Sequence, residues 1–176
     1  MERFTSPDFQ ADKYISETRG YIIHMMVILE ELMDECLAFY FCGKENQDKC
    51  DDFKRMMLLK AGVSLQLKAI TLRYIIKNRF AEIDNEFPKF RTTFTKVVEF
   101  RNVIAHTKFN PELSGRELDG SPKLLLFNMR TEDNKPFDEF ISLDKGSIGT
   151  RMAEIQQCVD VLGVLYNKLI LKSHPL

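Results

Sequence analysis

Apolar positions recur with helical spacing over most of this chain. Between Tyr21 and Cys42 they include Ile22, Ile23, Met25, Met26, Ile28, Leu29, Leu32, Met33, Cys36, Leu37, Phe39 and Tyr40. With a start signal at Ser6-Pro7-Asp8, the pattern predicts one long helix from about Phe9 or Asp12 to Phe41. Gly20 allows a kink there, or a division into two helices. Glu30 with Asp34, and Glu31 with Glu35, form an acidic stripe that His24 joins, read as a solvated face. The remaining arc is wider than one partner helix requires, so this helix is expected to meet both its own core and a second subunit.

Gly43 to Asp52 is polar and predicts a loop ending in acidic cap material. A short helix follows over Phe53–Lys60, with Met56, Met57 and Leu59 inward, and Gly62 breaks it. Ser64 is placed to cap a helix through Asn78, whose inward side takes Leu65, Leu67 or Lys68, Ile70 or Thr71, Leu72, Ile75 and Ile76. Its other side carries Lys68, Arg73, Lys77 and Arg79, the best local candidate for a phosphate-contacting surface. Glu86–Thr107 reads as the next helix, with Pro88 in its first turn. After Asn110-Pro111, a loop rich in Gly, Ser and Asp leads to Lys123–Arg130 and Phe137–Leu143, which read as a two-stranded hairpin. Asp144–Gly149 reads as a turn and cap. Thr150–Lys172 reads as a closing amphipathic helix with Met152, Ile155, Val159, Leu162, Leu165, Tyr166, Leu169 and Ile170 inward.

These elements predict an all-α fold: a bundle of about four to five helices with a small β-hairpin insertion, at about residues 110–145, before the last helix. With 176 residues, 44% hydrophobic and 29% charged, the chain suits a single domain with a real core. The net charge of −1 supplies no global basic field, so any nucleic-acid role rests on a local patch. Cys36, Cys42, Cys50 and Cys158 show no metal-ligand spacing and read as reduced thiols. The N-terminus is too polar for a signal peptide, and the long apolar run is interrupted by acids. A cytoplasmic protein with no membrane span is therefore expected.

Nucleotide-binding glycine motifs, paired-histidine metal motifs and nucleophile elbows do not occur in the sequence. Neither a metal nor a cofactor is expected. Only His24, His106 and His174 offer imidazole chemistry. Attention therefore falls on Phe100-Arg101-Asn102-Val103-Ile104-Ala105-His106, followed by Thr107-Lys108-Phe109. At about 100° per residue, Phe87, Phe90, Phe94, Val97, Val98, Ile104 and Ala105 share one face, and Arg101 falls within it. Glu99, Asn102, Val103 and His106 lie opposite. A guanidinium in an apolar face needs a carboxylate, a phosphate or a wet cleft. Glu99 and Asn102 are each placed to orient the His106 ring.

Arg101-Asn102-x-x-x-His106 resembles the R-x(4–6)-H motif of HEPN-domain proteins, in which a polar residue commonly follows the arginine. The order of helices around it is also similar, although the hairpin has no counterpart. The resemblance implies a homodimer whose paired motifs cleave RNA without a metal. Arg101, Asn102 and His106 would be catalytic, Lys108, Lys68 and Arg73 would contact substrate, and Glu99 would orient the histidine. It also suggests a toxin–antitoxin or defence setting, with a protein antitoxin or effector as a further partner. In one toxin subgroup a tyrosine two residues past the histidine is modified by its antitoxin. Lys108 stands there, which argues against that regulation. The competing readings keep the fold without catalysis, as a binding or dimerisation module, make the chain a helical protein-interaction domain unrelated to nucleic acid, or make the motif structural. In the structural reading Arg101 pairs with Glu30, Glu31 or Asp34 and His106 serves as a helix C-terminal cation.

Overall fold

The computed structural model describes residues 7–60, 62–106, 108–109, 124–132 and 135–171. Ser6 at the expected helix start, Thr107, the 110–122 loop and the His174 tail lie outside the described residues. The described residues hold six α-helices and one π-helical stretch, so the all-α class holds while the helix count exceeds four or five. None of the described helices is long and apolar enough to cross a membrane.

Helix α1 runs from Pro7 to Cys42 without a break at Gly20, around which no other group crowds. It ends at Gly43, whose φ of 74° is the left-handed conformation that glycine adopts without strain. Gly43 N–H donates to the Phe39 carbonyl at 3.0 Å and closes the last turn. Helix α2 spans Gln47–Phe53, all but its last residue inside the stretch expected to be loop, because fully buried Cys50 anchors it. Lys54–Lys60 then continues as a π-helix. Its i→i+5 turns change the facing assumed at 3.6 residues per turn. Leu58 is buried instead, while Met56, Met57 and Leu59 are exposed.

Helix α3 spans Leu65–Arg79 and starts at the expected cap, where Ser64 Oγ accepts from Leu67 N–H at 3.2 Å. The expected single helix from Glu86 is instead two, α4 (Ala81–Glu86) and α5 (Phe90–His106). Pro88 is the reason: the residue before a proline is pushed from helical toward extended backbone, and Phe87 sits at φ −121°, ψ 65°. Lys108–Phe109 forms β1, Leu124–Glu132 β2 and Lys135–Leu143 β3, paired antiparallel in the order β1-β2-β3. Leu126 stands opposite Ile141, and Lys108 opposite Phe127. Helix α6 spans Lys145–Leu171, beginning earlier than Thr150 because the Asp144 carboxylate accepts Ser147 N–H at 2.6 Å and caps a turn there.

The chain forms two compact units. The first draws on the chain up to His24 and on Glu99–Ala153; the second on Met25–Val98 and the chain from Glu154 onward. In the second unit Leu29, Met33, Leu72, Ile75, Ile76, Phe80, Ile83, Phe90, Phe94, Ile155, Leu162 and Leu165 are almost wholly buried. At about 25 cal/mol per Å² of apolar surface, this continuous core is its main source of stability. Phe90 and Phe94 stack with centroids 5.0 Å apart, and Phe39 meets the edge of Tyr166 at 5.5 Å.

The acidic stripe of α1 is not a plain solvated face. Lys68 Nζ lies 2.7 Å from Asp34 Oδ1 and 2.9 Å from Oδ2, and Lys54 Nζ lies 2.7 Å from Glu35. Of the two inward choices at Leu67 or Lys68, the lysine turns in, where its carboxylate waits, and Leu67 is left exposed.

Candidate active site

The motif occupies the last turns of α5, in the first unit. Phe100 and Ile104 are buried, Arg101 between them is half-buried and partnered, and Asn102 and Glu99 are exposed. The amphipathic pattern imposes this split: two apolar residues hold the turn in the core, and the polar ones rotate outward. Helix α5 remains helical through His106, so positions 101 and 106 stand about 140° apart around its axis. Lys108 follows two residues later in β1. The His106 and Lys108 side chains lie outside the described residues.

Two arginines absent from the sequence-derived set frame this turn. Arg19, from α1, donates from Nη2 to the Ile104 carbonyl at 3.4 Å. It thereby serves a helix C-terminus, where backbone carbonyls lack intrahelical partners and the dipole favours a cation. Arg151, from α6, lies over the Phe100 ring, 5.4 Å from its centroid. The C-terminal turn of α5 is therefore surrounded by Arg19, Arg101 and Arg151, all partly buried. Each of the three is already engaged within the protein. Neither arginine has a sequence signal, because each reaches α5 from a distant helix.

The other two expected substrate contacts belong to the second unit. Lys68 is only 6% exposed and is committed to Asp34. Burial raises the Asp34 carboxyl above its ordinary value, and the Lys68 ammonium offsets only part of that rise. A lysine so enclosed is a structural counter-charge, which corrects its assignment to the phosphate-contacting face. Arg73 is half-buried and donates from Nη1 to Thr95 Oγ1 at 2.6 Å. Among the described residues no group of three or more His, Cys, Asp or Glu side chains gathers as a metal site would require. Comparison with family models, curated proteins and solved structures finds no match to this chain.

Proposed function

We propose that the protein is a metal-independent endoribonuclease of HEPN type. It acts as a homodimer, with Arg101, Asn102 and His106 as its catalytic residues and a toxin–antitoxin or defence role as its setting. The observation that carries this reading is the end of α5: half-buried Arg101 beside exposed Asn102, on a helix whose last residue is His106. The ribose 2′-oxygen attacks the adjacent phosphorus as the bond from phosphorus to the 5′-oxygen breaks. A base removes the 2′-OH proton and an acid protonates the leaving oxygen, which yields a 2′,3′-cyclic phosphate. His106 serves proton transfer, for which an imidazole is matched to neutral pH. Arg101 holds the phosphate and stabilises the charge that develops on it. Asn102 orients the imidazole or donates to a phosphate oxygen, and Glu99 supports that orientation.

Purified protein should cleave RNA in EDTA and leave cyclic or 3′-phosphate ends. Arg101→Ala and His106→Ala should each lower the rate by about a hundredfold or more. Full activity in both variants would overturn the assignment.

A second reading, a HEPN-like dimerisation or binding module without catalysis, is favoured by exposed apolar surface on α1. Tyr21 is 57% and Ile23 42% exposed, in the same unit as the motif. Such residues suit a subunit contact. An inactive wild type that is dimeric and retains a protein antitoxin or effector would select this second reading.

A further inference from the structure

The second unit contains a cleft of about 580 Å³ between α3 and the first half of α5. One wall is Ile70, Arg73, Tyr74 and Lys77 from α3; the other is Arg91, Thr92, Thr95 and Lys96 from α5, with Pro88 at the rim. None of these residues is acidic, and four carry positive charge. In a chain of net charge −1, this is a local concentration of one sign, which focuses anions.

The walls are built rather than incidental. Arg73 donates to Thr95 Oγ1 at 2.6 Å, and that hydroxyl in turn donates to the Arg91 carbonyl at 2.9 Å. Arg91 Nε lies 3.1 Å from Asp84 Oδ1, which fixes its stem while the other guanidinium nitrogens remain donors. Lys77 and Lys96 are exposed and form no ion pair among the described residues. Tyr74 is 65% exposed although it lines the cleft, so an aromatic face stands open beside the cations. The first turn of α5 adds the positive end of a helix dipole, since Arg91 and Thr92 belong to it.

From this arrangement we infer that the cleft binds a nucleotide, either free or as a unit of a single strand, with its phosphates on Arg73, Lys77, Arg91 and Lys96 and its base on Tyr74. Cations beside an open aromatic ring are the combination that single-strand binding surfaces use. The volume also falls within the roughly 300–1,000 Å³ of small-molecule sites. The inference does not depend on catalysis at Arg101 and His106.

The test is binding of a fluorescently labelled oligo(dT) of about twelve nucleotides by the full chain at low salt, competed with ATP and with inorganic phosphate. A deoxy strand has no 2′-OH to attack, so the result is independent of nuclease activity. Wild type should bind with a log–log salt slope of roughly −2 to −3, as three or four neutralised phosphates give in a single strand. The double variant Lys77→Glu/Lys96→Glu should lose at least about tenfold in affinity. Tyr74→Ala should lose roughly five- to 150-fold. Arg55→Glu, an exposed charge reversal outside the cleft, should bind as wild type does. ATP competing at micromolar concentration would assign a free nucleotide, and competition only by unlabelled strand would assign a strand. Absence of wild-type binding both to the labelled strand and, measured directly, to labelled ATP overturns the inference. So does binding unchanged by the cleft variants at unaltered melting temperature, or equal loss in Arg55→Glu.

Discussion

Replacing Lys68 with methionine separates its structural from its functional assignment. The substitution keeps the stem and removes the charge opposite Asp34, whose side chain is 14% exposed against 7% for Lys68. An uncompensated buried carboxylate costs about 3–5 kcal/mol. Protonation caps that cost. At about 1.4 kcal/mol for each pH unit above the ordinary value of 3.8, the cap is about 4 kcal/mol at pH 7 and about 2 kcal/mol at pH 5. The Asp34 pKa is already raised in the fold and rises further without Lys68. A raised carboxyl pKa favours folding most below the unfolded value, and that contribution is lost as pH rises through the folded value. The defect of the variant must therefore grow with pH. For 176 residues, 3–4 kcal/mol corresponds to a fall in melting temperature of roughly 6–16 °C at pH 7, and about half of that at pH 5. Thermal unfolding followed by circular dichroism at both pH values reads it directly. The double variant Lys68→Met/Asp34→Leu should recover most of the loss, since an apolar pair of similar size replaces a buried ion pair at little cost. A fall under about 2 °C, the range of ordinary surface substitutions, would refute the reasoning. So would a fall independent of pH. A normal melting temperature with lost RNA cleavage would return Lys68 to the substrate-contacting set.

Thiol reactivity offers another check on the fold. Burial pushes the Cys158 thiol up to about 12, raises Cys36 further, and raises Cys50 as well, whereas Cys42 is only half-buried. At pH 8 a disulfide reagent should label Cys42 first and reach Cys36 and Cys158 only after denaturation; equal rates for all four in native protein would contradict the buried placement. On the apolar surface of α1, Ile23→Glu should convert a dimer to monomer in light scattering while the chain keeps its helical circular dichroism spectrum, since the residue is 42% exposed in the single chain. A monomeric wild type would remove the basis for this contact.

Local signals in the sequence were reliable where the chemistry itself is local. Ser64 and Gly43 mark helix ends because a hydroxyl three residues from its donor and a positive φ need no distant partner. Pro88 carried an equally local signal, but its effect on Phe87 outweighed its tolerance in a first helical turn. Lys68 was legible only as one of two inward candidates, because the deciding group, Asp34, lies 34 residues earlier. The facing of Met56, Met57 and Leu59 could not be read because their segment does not have the period assumed for it. At the motif, Arg101 and Asn102 were legible from periodicity, whereas Arg19 and Arg151 become visible only once α1 and α6 are folded against α5.

Arg101 and His106 serve a single phosphate in one of two ways: the chain turns where α5 ends, at His106, or each site draws on two chains. As positions on one straight helix the two residues stand about 140° apart. In the composite form of the nuclease proposal, one chain supplies the arginine and its partner the histidine. Mixing Arg101→Ala with His106→Ala protein tests that form quantitatively. After subunit exchange half of the dimers are mixed, and each holds one site with both residues intact and one with neither. Activity should return to about a quarter of wild type, from two inactive parents. If each site drew both residues from one chain, mixing would restore nothing.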